Sequence, residues 1–122
     1  MANSSFISVV DDDESLRESL EGLLKSLGYA VEVFASAESF LNSGALARTD
    51  CLILDVRMAG MSGPELQVEL IRRGVTVPIV FVTAHGDEQV GVRVMIDGAV
   101  ACLLKPFSEQ SLLNAISRAL SG

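Results

Sequence analysis

The stretch CLILDVRMAGMSGPEL, Cys51–Leu66, decides the fold. Cys51 to Leu54 form an unbroken apolar run, short enough for a strand and suited to one buried on both faces. The run ends on Asp55. A loop carrying Gly60 follows, and Gly63-Pro64 then opens a helix in which Leu66, Leu70 and Ile71 recur at helical spacing. A strand that buries its length and then presents a carboxylate has placed a charge at the mouth of a core. Charges are costly in such places unless something meets them.

Outward from this unit the same alternation repeats. Towards the N-terminus, FISVV (Phe6–Val10) reads as a buried strand. Leu16, Leu20, Leu23, Leu24 and Leu27 follow at helical spacing until Gly28 stops them. AVEVF (Ala30–Phe34) alternates like a half-exposed strand, and a short helix, Ala37 to Ser43, follows Ser36. Beyond Gly74, IVFVT (Ile79–Thr83) is a fourth strand and ACLL (Ala101–Leu104) a fifth. Leu112, Leu113, Ile116, Ala119 and Leu120 mark a last helix.

DEQVGVRVMIDG (Asp87–Gly98) is ambiguous. Val92, Val94 and Ile96 alternate, and Gly91 weakens a helix by roughly 1 kcal/mol relative to Ala. Its place between two strands argues for a helix of low intrinsic stability. Five strands alternating with five helices predict an α/β fold: a doubly wound parallel sheet between two helical layers. In such sheets the functional crevice lies at the carboxyl ends of the strands, where strand order reverses.

The chain has 122 residues, 49% of them apolar and 20% charged, which fits one domain spanning residues 1–122. No uncharged apolar stretch of about 18 residues occurs, so no transmembrane helix is expected. The acidic start MANSSFISVVDDDE does not read as a secretory signal, and the expected location is the cytoplasm. A net charge of −7 makes direct nucleic-acid binding by this domain a poor fit. Cys51 and Cys102 stand in apolar surroundings without a CxxC or Cys/His cluster, and read as buried free thiols.

The strand ends carry the chemistry. The first strand ends in Asp11, Asp12 and Asp13, the third in Asp55, the fourth in Thr83 and the fifth in Lys105-Pro106. Each has a plain reading alone: a solvated helix cap, a loop acid, a strand-end hydroxyl, a surface charge. Together they place several carboxylates, one hydroxyl and one ammonium in one crevice. Two carboxylates about 5 Å apart repel by roughly 3 kcal/mol at an effective dielectric of 20. Such a pocket raises pKa values or calls for a cation, and all-oxygen ligation suits a hard ion such as Mg²⁺. A divalent ion, a hydroxyl and an ammonium can share the charge of a phosphoryl group, with Asp55 as nucleophile and an acyl phosphate as product.

These residues resemble the response-regulator receiver domains of two-component signalling, the CheY-like superfamily. VVDDDESLRESLEGLL, LILDVRMAGMSGPEL, VPIVFVTAHGD and GAVACLLKPF are each similar to a family block, in family order and spacing, over essentially the whole chain. Within the family the chain looks most like FixJ-type receivers, which usually precede a helix-turn-helix DNA-binding domain. The resemblance implies strand order 2-1-3-4-5, with Asp55 as phosphoacceptor. It also implies Mg²⁺ held by Asp11, Asp12, Asp55 and the backbone carbonyl of Arg57. Thr83 matches the switch hydroxyl and Lys105 the lysine that contacts phosphate; the Lys105-Pro106 bond is expected to be cis. Asp13 corresponds to a commonly acidic position and is not counted as a main ligand. The implied partners are a sensor histidine kinase or phosphotransfer protein, and a phosphorylation-dependent homodimer through the fourth-helix and fifth-strand face. On that face Val92, Met95 and Ile96 are candidates for an apolar patch. If the chain is part of a longer regulator, its output is a DNA-binding domain.

Three departures from the family pattern stand out. Ala59 replaces the usual Pro, which predicts a less rigid loop after Asp55. Cys102 stands where an aromatic residue commonly moves with the Thr. Ala101 stands where an acid is common, which predicts a more apolar fifth-strand surface. Arg57 and His85, two residues beyond Asp55 and Thr83, occupy positions that tune acyl-phosphate hydrolysis in the family; His85 reads equally well as an exposed loop residue.

Other readings fit less well. Haloacid-dehalogenase-like phosphatases look for a second Asp two residues after the nucleophile, where this chain has Arg57. A flavin or nucleotide module lacks its glycine signatures here. A degenerate receiver, acting only as an interaction surface, draws its best support from Cys102.

Overall fold

The computed structural model describes residues 5–121. Its strands are β1 (Phe6–Val10), β2 (Ala30–Phe34), β3 (Cys51–Asp55), β4 (Ile79–Thr83) and β5 (Ala101–Leu104). Its helices are α1 (Glu14–Ser26), α2 (Ala37–Asn42), α3 (Gly63–Arg72), α4 (Glu88–Ile96) and α5 (Glu109–Ser121). The five strands pair in parallel in the order β2-β1-β3-β4-β5, so the sheet is doubly wound as the sequence predicts. A 3-10 turn at Ala45–Arg48, before β3, is an addition that the hydrophobic pattern does not announce.

Strand alternation divides the core into two layers. Ile7, Val9, Cys51, Ile53, Val80 and Val82 face α1 and α5, where they meet Leu20, Leu24, Leu112, Ala115 and Ile116. Val10, Leu52, Leu54 and Phe81 face the other side, against Phe40, Leu66, Leu70 and Val94. All five residues of β3 are buried, as a central strand in a parallel sheet requires. β2, at the edge, is only partly covered.

Local signals set the helix starts. Asp13 caps α1 by accepting from the Leu16 amide, and Ser36 caps α2 through the Ser39 amide. Ser62 and Glu65 form a reciprocal capping box at the start of α3. α4 has no such support. Asp87 stands at its cap position without a side-chain bond to the helix, and Val94 is its one buried residue. The ambiguous segment is thus a helix, with thin anchorage.

Ala101 corrects one expectation. It is buried against the α1 and α5 layer, so its lost acid does not make the strand surface more apolar. The exposed apolar groups nearby are Leu104, Val92, Met95 and Ile96, so the patch on α4 faces solvent instead of filling the core.

Candidate functional site

Strand order reverses at β1, between β2 and β3, and the carboxyl ends of β1 and β3 open there into a crevice. β1 delivers Asp11 and Asp12, and β3 delivers Asp55. One carboxylate oxygen from each of the three lies within 4.8 Å of the others. Asp11 and Asp55 are buried while Asp12 is exposed, so the cluster is dry at its base and open at its rim. Asp13 is directed elsewhere: its side chain caps α1, and its amide donates to Asp11 Oδ1 at 2.9 Å. It is no part of the cluster.

Lys105 reaches in from the end of β5. Its Nζ lies 3.1 Å from Asp11 Oδ2 and 3.4 Å from Asp55 Oδ1, so one ammonium bridges the two buried acids. Burial pulls that ammonium towards the neutral form, but Asp11 and Asp55 outweigh burial and raise its pKa. Asp55 is pushed up to about 6, first by burial and then by the neighbouring Asp11, with Lys105 opposing both. The Lys105-Pro106 peptide is cis, as the resemblance implies. An all-oxygen set of three acids, two of them buried, fits a hard divalent cation; one lysine leaves part of their charge unmet.

Thr83 ends β4, buried, with its hydroxyl donating weakly to the Ala84 carbonyl at 3.4 Å. The sequence placed Thr83 at this mouth, and the sheet brings it there. It did not anticipate the neighbour: the Thr83 hydroxyl also stands by Asp87, whose pKa it helps to lower, after the larger effect of Arg57. Arg57 donates from Nε to both Asp87 oxygens, at 2.9 and 2.8 Å, and from Nη2 to Oδ1. His85 is exposed and makes none of these contacts.

The loop after Asp55 is held without its proline. The Met61 amide donates to Glu38 Oε2 of α2 at 2.8 Å, and the Gly63 amide donates to the Val56 carbonyl at 3.0 Å. Glu38 also lies against Gly60, whose φ of +75° suits glycine. The expected loosening at Ala59 is therefore countered from α2, by a residue with no sequence signal beyond its place near a helix start. Gly63 has a second duty. A Cβ there would fall 2.2 Å from the Asp55 carbonyl oxygen, so only glycine lets α3 begin directly behind the acid.

Cys102 is half-buried and Gly91 packs over it: a Cβ on Gly91 would stand 3.3 Å from Cys102 Sγ. Thr83, Gly91, Val92, Met95, Cys102 and Leu104 line a groove of about 510 Å³. Cys51, by contrast, is fully buried, and burial pushes its thiol up to about 12.

Residues 7–117 match the family model described as the response regulator receiver domain. The chain belongs to the receiver domains of response regulators. It is 45% identical over 115 residues to nodulation protein W of Bradyrhizobium diazoefficiens, covering 94% of this chain and 51% of that protein. It is 41% identical over 120 residues to the transcriptional regulatory protein FixJ of Azorhizobium caulinodans, covering 98% and 57%. Among solved structures, response regulator StyR superposes with a TM-score of 0.89 at 49% identity, covering 98% of this chain and 60% of that one. The FixJ N-terminal domain superposes with a TM-score of 0.89 at 37% identity, covering 99% and 96%. The receiver thus spans about half the length of the curated relatives it matches. Among the described residues, no helix is long and apolar enough to cross a membrane.

Proposed function

We propose that residues 1–122 form a single cytoplasmic receiver that accepts a phosphoryl group on Asp55, and that the accepted group switches the face built from α4, β5 and α5. The donor is a phosphohistidine on a sensor histidine kinase or phosphotransfer protein. A carboxylate oxygen of Asp55 attacks phosphorus, the P–N bond breaks, and its electron pair leaves on the imidazole, which takes up a proton. The product is an acyl phosphate on Asp55. The observation that carries this reading is the three-acid cluster with Lys105 seated on both buried members.

Each side chain has a task. β3 fixes Asp55 at the end of a rigid buried strand, and most of its carboxyl is ionised at neutral pH despite its raised pKa. Lys105 supplies positive charge that stays in place when phosphate arrives. Thr83 supplies a hydroxyl that can donate to a phosphoryl oxygen. Asp11, Asp12, Asp55 and the Arg57 carbonyl would hold Mg²⁺. That ion supplies charge neutralisation for the phosphoryl oxygens. Arg57, tied to Asp87, offers no acid where a haloacid-dehalogenase-like phosphatase needs one, which supports slow self-hydrolysis rather than turnover of outside substrates. Arg57 and His85 are placed to tune that hydrolysis.

If the chain is part of a longer regulator, the output is a DNA-binding domain controlling transcription, in keeping with relatives about twice this length. Exposed Val92, Met95 and Ile96 suit a phosphorylation-dependent homodimer. The test is intact mass after incubation with a small phosphodonor, with and without Mg²⁺, for wild type and Asp55→Asn. One added phosphoryl group that needs both Mg²⁺ and Asp55 is the expected result. No addition under any condition would overturn the proposal in favour of a phosphorylation-independent interaction module.

A further inference from the structure

The Arg57–Asp87 pair takes no part in the transfer of a phosphoryl group to Asp55, yet it is a well-formed polar contact beside that site. The Asp87 side chain is 2% exposed and the Arg57 side chain 75% exposed, so a dry carboxylate is met by a wet guanidinium. The contact is two-toothed, with Nε and Nη2 both donating. Asp87 occupies the cap position of α4 but caps nothing there, because its carboxylate is committed to Arg57. Arg57 follows Asp55 by two residues, and Asp87 follows Thr83 by four. The pair therefore ties the loop behind the phosphoacceptor to the loop behind the switch hydroxyl, and Thr83 itself stands beside the Asp87 carboxylate.

We propose that Arg57 and Asp87 form a resting-state latch that holds Thr83 and the start of α4 away from Asp55, and that must open for the switch to occur. This rests on the reading of Asp55 as phosphoacceptor. Thr83 cannot turn to a phosphoryl oxygen and keep its place beside Asp87. Only Ala84, His85 and Gly86 separate the two, so moving one displaces the other. The latch sets how much of the switched form is populated before phosphorylation, and Asp87 acts as a positioning residue through Thr83. What opposes it is weak by construction: α4 has Gly91 inside it and one buried side chain.

The test compares wild type, Arg57→Ala, Asp87→Ala and the double variant. Amide chemical shifts of residues 90–96 are recorded before and after treatment with a small phosphodonor and Mg²⁺, with intact mass measured in parallel. Each single variant, untreated, is expected to move towards the positions of phosphorylated wild type. The switched population should rise about tenfold, the scale of one charge-assisted contact. The double variant should go no further than either single, because both remove one interaction. Arg57→Lys, which keeps the charge and loses the fork, should fall between wild type and Arg57→Ala. Untreated variants that coincide with wild type, or a double variant that shows the sum of the singles, would overturn the latch. A wild type whose mass gains no phosphoryl group would strike the phosphoacceptor reading, and the latch with it. A wild type that is phosphorylated while the variants' shifts stay put would strike the latch alone.

Discussion

Helices α3 and α4 lie on the same side of the sheet and each follows a strand that carries a site residue, yet they are built to different standards. α3 starts with a capping box, has Pro in its first turn, and buries Gly63, Leu66, Gln67 and Leu70. α4 starts without a side-chain cap, contains Gly91, and buries Val94 alone. A buried hydrogen bond joins them, from Gln67 Nε2 to the Val94 carbonyl at 3.0 Å. The firm helix stands behind Asp55 and the loose one behind Thr83. Under the proposed function, the phosphoacceptor gets the rigid support, and the face proposed to take two arrangements gets the marginal one.

The strongest way to break this contrast is to put the same side chain on the glycine of each helix. Gly63→Ala drives a methyl group into the Asp55 carbonyl, where only backbone can yield. It should cost about 3 kcal/mol or more in urea unfolding. Gly91→Ala meets the side chain of Cys102, beside an open groove that lets the thiol turn away. There the gain in helix propensity should win, stabilising the protein by about 0.5 kcal/mol. Equal costs at the two positions would dissolve the distinction.

Two further effects lie between those extremes. Asp55 keeps its proton in the folded state up to about pH 6, whereas an unfolded Asp releases it nearer pH 4. Between those values the folded state binds more protons, so stability falls as pH rises through the window. Asp55→Asn removes that fall. Without Mg²⁺ it should exceed wild type above pH 6 by on the order of 1 kcal/mol after solvent screening, with the gap closing towards pH 4. Melting curves across pH check this, and added Mg²⁺ should narrow the gap by neutralising the acids. Gln67→Leu keeps the volume and removes the tie to α4. The Val94 carbonyl still accepts from Ala99, so the cost should be only about 1 kcal/mol or less, with faster amide exchange confined to α4.

Much of this was legible in the residues. The alternation of apolar runs and helical spacing fixed five strands and five helices because each buries a face of one sheet. Asp11, Asp12, Asp55, Thr83 and Lys105 could be placed together because strand ends in a parallel sheet share one rim. Asp87, Glu38, Gln67 and the tight fit at Gly63 were not legible. Their partners lie 30, 23, 27 and 8 residues away, across loops whose paths leave no periodic trace. Ala101 misled: a position judged by its usual residue proved to be part of the core.

The most direct measurement is amide hydrogen exchange resolved over α3 and α4, with and without a phosphodonor and Mg²⁺. The account predicts that exchange in Glu88–Ile96 changes on phosphorylation while Gly63–Arg72 keeps its protection. Unchanged exchange in both helices, on protein shown by mass to carry the phosphoryl group, would contradict it.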